Sequence, residues 1–387
     1  MTATVEVKFD GTNWTDITSR VTRVQVRRGR SRQLDTITAG SCVVDVLNND
    51  GELDPNKASG AWFGDLVPQR EIRVRFDRGD GTDVDVFVGR IEDLDYEYQE
   101  FGKFGRARLM ATDGLARLAA TALSAHTPSA QLSGARVTAV LNRSEVNYPG
   151  GAARSIDTGL STLGAFAVTA GTNTLSYLQS VAEAEQGRLF VDRSGVLQFV
   201  DRDATYVTSG AWTLSDQTSA SKVPYRSLRA EYGSELLFNR LEVTRQSGAT
   251  QTATDATSIS DYGTRTLRLD GVLVSTDAQA LALAQWLVGF YGEPEYRIAE
   301  VELDWARVPS GVRSAASVVD IAQVVNLEFT PPGADPLAVA LIVEGVEHSF
   351  TPSQHIVRLS LGATDGRAFL TLDDDTFGLL DSNLLAF

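Results

Sequence analysis

Arg70-Glu71-Ile72-Arg73-Val74-Arg75-Phe76, then a turn, Val88-Gly89-Arg90-Ile91-Glu92, another strand pattern and Ala111-Thr112-Asp113-Gly114 form one series. Gln323-Val324-Val325-Asn326-Leu327-Glu328-Phe329, a Pro-Pro-Gly turn, Val343-Glu344-Gly345-Val346-Glu347, another strand pattern and Ala363-Thr364-Asp365-Gly366 form a second. Fifteen positions separate Phe76 from Ile91, and seventeen separate Phe329 from Val346. The Ala-Thr-Asp-Gly string follows 20 positions later in the first series and 17 later in the second. No single string is specific, but the order of strand, turn, strand with a central glycine, strand and the same turn is. It predicts a duplicated β domain. Two similar domains per chain would let three copies present six similar faces and close into a ring without exposed strand edges.

The same grammar extends outward. Val5, Val7 and Phe9 alternate with polar residues, Val21, Val24 and Val26 sit among arginines, and Ser41 to Leu47 reads as a strand buried on both faces. Asn48-Asn49-Asp50-Gly51 and Arg78-Gly79-Asp80-Gly81 punctuate these runs. After Asp113-Gly114 the composition shifts: Leu115–Ala125 and Val137–Leu141 read as helices. Thr174 is placed to cap another, and Arg188–Asp192 and Val196–Val200 flank a turn. From about Tyr225 the β pattern returns. It is interrupted by Ala278–Phe290, apolar on almost every side and expected to be buried against a sheet.

The fold class read from this is mainly β with α+β insertions: two β-barrel domains joined by a smaller helical and αβ middle region. The expected boundaries are 1–114 and 223–366 for the barrels, 115–173 for a helical linker, 174–222 for an αβ module and 367–387 for a C-terminal extension.

Composition narrows the function. Against 35 Lys and Arg stand 50 Asp and Glu, a net charge of −15, so the average field repels phosphate and argues against a DNA-binding protein. One cysteine, Cys42, excludes an internal disulfide framework and a multi-cysteine metal site, and its pattern is that of an inert core thiol. The most apolar stretch, Ala278–Tyr291, is shorter than a bilayer span and broken by Gln285. The N-terminus reads as a strand without a basic-then-apolar signal region, so neither a membrane anchor nor export is expected.

No zinc-protease, nucleophile-elbow, Walker or dinucleotide motif is present. His348 and His355 flank Pro352-Ser353 and could face each other across a hairpin, a structural pair rather than a metal site. Calcium loops built on Gly51 or Gly81 fail at both ends, and Asp373-Asp374-Asp375 reads as a solvated turn. These readings predict no enzyme, no cofactor and no metal. The one basic cluster, Arg20, Arg23, Arg27, Arg28, Arg30 and Arg32, would meet an acidic partner surface or phosphates, or form a solvated or intramolecularly paired face.

At this point the chain resembles the minor tail proteins of long-tailed phages, specifically tail-hub proteins. Several strings carry the resemblance: Asp45-Val46-Leu47-Asn48-Asn49-Asp50-Gly51, Tyr177-Leu178-Gln179-Ser180-Val181-Ala182, Phe238-Asn239-Arg240-Leu241-Glu242-Val243-Thr244, and Leu372-Asp373-Asp374-Asp375-Thr376-Phe377-Gly378. The resemblance implies two tail-tube-like β-barrels and a homotrimer forming a pseudo-sixfold ring. That ring would adapt the sixfold tail to a threefold tip, at the distal end of the virion tail, around a DNA exit channel. Implied partners are a distal tail or tail tube protein, the tape-measure protein and other tip or fibre proteins, with DNA passing unbound. Expected interface residues are Arg23, Arg27, Arg28, Arg30, Trp286, Phe377 and Phe387. The alternatives are a hexameric distal tail protein, and a carbohydrate-binding or wall-hydrolysing tip protein.

Overall fold

The computed structural model describes residues 3–203, 209–217 and 219–364. Phe377, Phe387 and the Asp365-Gly366 end of the second tetrad lie outside them.

The first β region comprises β1 (Ala3–Val7), β2 (Val21–Gly29), β3 (Ser41–Leu47), β4 (Glu71–Asp77), β5 (Asp83–Gln99) and β6 (Phe104–Thr112). Its hydrogen-bonded order is β1-β4-β5-β6-β3-β2, antiparallel throughout. In β4 the expected alternation holds: Ile72, Val74 and Phe76 are buried while Arg73 and Arg75 turn outward onto Glu6, 2.6 and 2.8 Å away. β3 differs from its sequence reading. Cys42, Val44 and Val46 are buried, but Ser41 and Asp45 face outward, so only one face is covered.

A middle region follows, with α1 (Gly114–Ala119), α2 (Ser133–Leu141), β7 (Arg154–Ile156), α3 (Thr174–Glu185), β8 (Arg188–Val191) and β9 (Leu197–Val200). Asp113 of the first tetrad does more than turn the chain. Its carboxylate accepts from Leu115 N, capping α1, and from Gly40 N at 2.7 Å.

The second β region comprises β10 (Thr213–Ser215), β11 (Ser227–Tyr232), then, after an insertion, β15 (Tyr296–Asp304), β16 (Val324–Phe329), β17 (Leu337–Thr351) and β18 (Gln354–Ala363). The insertion holds β12 (Arg240–Arg245), β13 (Thr250–Thr254), α4 (Ala256–Tyr262), β14 (Thr266–Val272) and α5 (Asp277–Tyr291). A further short helix, α6 (Ser310–Ser317), lies between β15 and β16.

Leaving aside the two-residue edge strands Thr15–Asp16, paired to β1, and Val223–Pro224, paired to β10, the order of the second sheet is β10-β16-β17-β18-β15-β11. Ranked by chain position, both sheets therefore run first-fourth-fifth-sixth-third-second. One pairing differs: β10 is parallel to β16, whereas β1 is antiparallel to β4. Among the described residues neither ladder closes on itself. Instead of two separate barrels, two open sheets merge where Val24–Gly29 of β2 pairs antiparallel with Gly345–Phe350 of β17.

One hydrophobic core serves both sheets, with Val26 and Phe76 from the first and Leu214, Trp305 and Phe350 from the second. A second core joins α1–α3 and the β8–β9 hairpin to the insertion through Leu178, Phe199, Leu241 and Leu287. The insertion thus packs with the middle region, although the sequence places it inside 223–366. Helix α5 buries Ala280, Leu283, Ala284, Leu287 and Tyr291, which is one face rather than all.

Candidate interaction surfaces

The seam between β2 and β17 is flanked by buried ion pairs. Gly29 faces Gly345, and Arg27 faces Glu347 on the solvent side. A Cβ on Gly29 would sit 2.3 Å from the Glu344 carbonyl oxygen, and Gly29 has φ of +87°, so both contact and conformation require glycine. Glu344 is fully buried and held by Arg188 Nη2 at 2.6 Å and Arg30 Nε at 2.7 Å. Burial alone would push its carboxyl up, but the two guanidinium groups outweigh that and hold it down to about 2. Beside it, buried Arg28 reaches Asp320 Oδ1 at 2.5 Å. Arg28 and Arg30, expected to meet another molecule, therefore join the two halves of one chain.

His348 Nδ1 and His355 Nε2 lie 3.0 Å apart, so the pair does face across its hairpin. The two rings stack with Phe350, and Phe76 and Trp305 pack against His355. Burial, helped by nearby Arg28, pushes His348 down to about 3, and burial beside His348 pushes His355 well below its usual range. Both are neutral imidazoles at pH 7. Burial also pushes the Cys42 thiol far up, away from the reactive thiolate. Among the described residues no group of three or more His, Cys, Asp or Glu is placed to hold a metal ion, and no helix is long and apolar enough to cross a membrane.

The outward faces carry matching charges. In the first sheet Arg108 bridges Asp45 at 2.7 Å and stands opposite Asp95. In the second Arg358 bridges Glu302 at 2.9 Å and Glu347 at 3.3 Å. Each ladder runs acid-base-acid over the third, sixth and fifth strands.

Comparison of the sequence with protein-family models finds no match, and comparison with curated proteins finds none. Solved structures do match. A tail protein from Neisseria meningitidis MC58 aligns at a TM-score of 0.62 and 13% identity, over 94% of this chain and 96% of that one. A 43 kDa tail protein of prophage MuSo2 from Shewanella oneidensis aligns at 0.59 and 14%, over 94% and 97%. The E. coli c3393 protein is a type VI secretion component described as similar to the T4 tail proteins gp27 and gp5. It aligns at 0.50 and 10%, over 94% and 87%.

The chain has the fold of phage tail proteins.

Within that tail-protein fold the remaining expected interface residues divide. Arg27 is exposed, donating to Ser31 Oγ at 2.8 Å, and Arg23 is exposed beside Asp45 across the ladder. Trp286 is half-buried, stacked on Phe290 with ring centroids 5.6 Å apart in a groove that also holds Gln179 and Leu269. Sequence reasoning missed Glu344 and Arg188. The available signal was an acidic residue beside a glycine within an apolar strand, where a charge needs partners.

Proposed function

We propose that this chain is a structural, non-catalytic subunit of a phage tail, a hub protein at the distal end whose three copies form a pseudo-sixfold ring around the DNA exit channel. The observation that carries the reading is the strand order repeated in two sheets of one chain with the tail-protein fold. Two equivalent sheets per chain give three copies six equivalent faces, which suits a threefold tip meeting a sixfold tube. A hexameric distal tail protein would need only one such sheet per chain.

The partners follow from that position: a distal tail or tube protein on one side, tip or fibre proteins on the other, and the tape-measure protein in the channel. A net charge of −15 supports passage of DNA without adhesion. Arg23, Arg27 and the Trp286 groove are the surfaces proposed for these contacts, together with Phe377 and Phe387 beyond the described residues.

Antibody against this chain, imaged on intact particles, is expected to mark the tail end away from the head. Label along the tube or on the capsid would overturn the reading. The mass of the assembled oligomer is expected to correspond to three chains; six would favour the distal tail protein. Lysis of host walls by the isolated chain would reverse the non-catalytic assignment.

A further inference from the structure

The internal seam has two uncovered counterparts. β5 and β17 are the fifth strands of their sheets, and both work in two parts. Asp83–Arg90 pairs with β4 and Leu337–Ile342 pairs with β16. The next residue in each then closes the same backbone loop: Gln69 N donates to Ile91 O and Ile91 N to Arg70 O. Likewise Ala322 N donates to Val343 O, and Val343 N to Gln323 O. Gln69 and Ala322 even share a left-handed backbone, with φ of +67° and +68°. One residue later both ladders slip, at Glu92 and at Glu344.

Beyond the slip the two differ. Residues 345–350 of β17 are covered by β2. On the same edge of β5, residues 93–99 meet no strand among the described residues. The counterpart of β2 in the second sheet is β11, which pairs with β15 alone. Following the ladders strand by strand matches Val24-Val44-Leu109 to Leu228-Val301-Leu359, which sets Gly29 against Gly233.

We propose that copies of this chain join head to tail, β11 of one copy pairing antiparallel with residues 93–98 of β5 in the next, in the register that β2 and β17 use inside the chain. This rests on the reading of the chain as a ring-forming tail subunit and names the surface that closes the ring. The partner is a second copy because each edge matches one half of a junction that this chain already makes with itself. The two edges differ, so the contact is heterologous and builds closed rings or open filaments rather than twofold dimers, and the ring reading requires that it close at three copies.

Exposure fits. Val24 and Phe350 are buried in the internal seam, at 0% and 2%. Their counterparts are half-buried Leu228 and Tyr98, the latter 50% exposed, and Tyr232 nearby is 70% exposed. The side-chain parity also agrees: Tyr98 would oppose Leu228, and Leu94 would oppose Tyr232, on the core side. Glu97 would oppose Arg229 on the solvent side, and a slip of one residue would invert all of these. Asp95 would face Glu231, a like-charge pair, with Arg229 on the diagonal to offset it.

Cysteine pairs test the register. Gln25→Cys with Ser349→Cys marks directly opposed positions of the internal seam and serves as the control. Glu97→Cys and Arg229→Cys occupy the counterpart positions, on exposed residues that tolerate change. Buried Cys42 stays silent. Under mild oxidation, E97C chains mixed with R229C chains are expected to give a disulfide-linked dimer. Neither variant alone should do so, and the E97C/R229C chain should give covalent species ending at three copies. Y232K is expected to weaken association at least tenfold while leaving thermal unfolding unchanged. If the control pair closes but the mixed variants give no cross-link, the proposed seam is wrong, whether or not the chains associate. The tail assignment would then stand or fall separately, on particle labelling.

Discussion

The first sheet gives its second strand to the second sheet and leaves the far half of its fifth strand uncovered. The second sheet receives that strand and leaves its own second strand uncovered. The strand order is common to both, so the difference lies in what stands around each edge. Glu92 and Glu344 occupy matching slips in their ladders. Glu344 is sealed between Arg188 and Arg30, while Glu92 is partly exposed and accepts from Thr112 Oγ1 and Gln69 Nε2. The same residue type at the same place is a buried ionic clamp at a formed seam and an ordinary polar residue at an uncovered one.

Neutralising the two glutamates should separate these roles most strongly. Glu344→Gln leaves two buried guanidinium groups facing a neutral amide, and is expected to cost about 3–5 kcal/mol in urea unfolding. Glu92→Gln should cost less than about 1 kcal/mol. Equal losses would mean that the two slips do not differ as described. The glycines come next. Gly29→Ala meets the Glu344 carbonyl and a positive φ, and is expected to cost about 2 kcal/mol or more. Gly233→Ala has open space within 4 Å and should stay within about 0.5 kcal/mol in the isolated chain.

Acid should act on the formed seam. His348 and His355 stay neutral in the folded chain but bind protons when unfolded below about pH 6.5. Stability is therefore constant above that pH from these groups, and falls below it by about 1.4 kcal/mol per pH unit for each imidazole. Asp113, pushed up to about 6 by burial, works the other way below pH 6. Glu344 adds a further loss as pH drops through 4.5 towards 2. Replacing both histidines with Asn should abolish the fall between pH 6.5 and 4.5 and leave the opposite, shallower slope of Asp113 below pH 6, and an unchanged slope would rule out the pair as its source. The smallest effect is expected on the outer ladders. Arg108→Ala and Arg358→Ala should each cost less than about 1 kcal/mol, by similar amounts that shrink with salt.

Much of the fold was legible because strands with one wet face announce themselves by alternation. The match of Phe76 to Phe329 agrees with the ladder registers, since each lies five residues after the first residue of its fourth strand, Glu71 paired to Arg90 and Val324 paired to Ile342. Matching the central glycines shifts the fifth strand by three residues, because Ile91 corresponds to Val343 rather than Val346. The Ala-Thr-Asp-Gly strings are offset as well. Ala111 pairs with Ile91 while Leu361 pairs with Val343, so Ala363 lies two residues past the matching place. The shorter β17–β18 turn, with Thr351 paired to Gln354 where Gln99 pairs to Phe104, accounts for the shift. The seam was not legible. It joins residues more than three hundred positions apart, and no local period reports such a pairing. The arginines of β2 were visible as a cluster, but whether they met a partner or the chain itself depended on that pairing.

A reconstruction of the assembled protein by electron cryomicroscopy, at a resolution that separates strands, tests the central claim most directly. Three chains and six sheets are expected around a pore, with a β2–β17 seam inside each chain alternating with a β11–β5 seam between chains. A twofold assembly, or a ring in which β11 and the far half of β5 both face solvent, would contradict it.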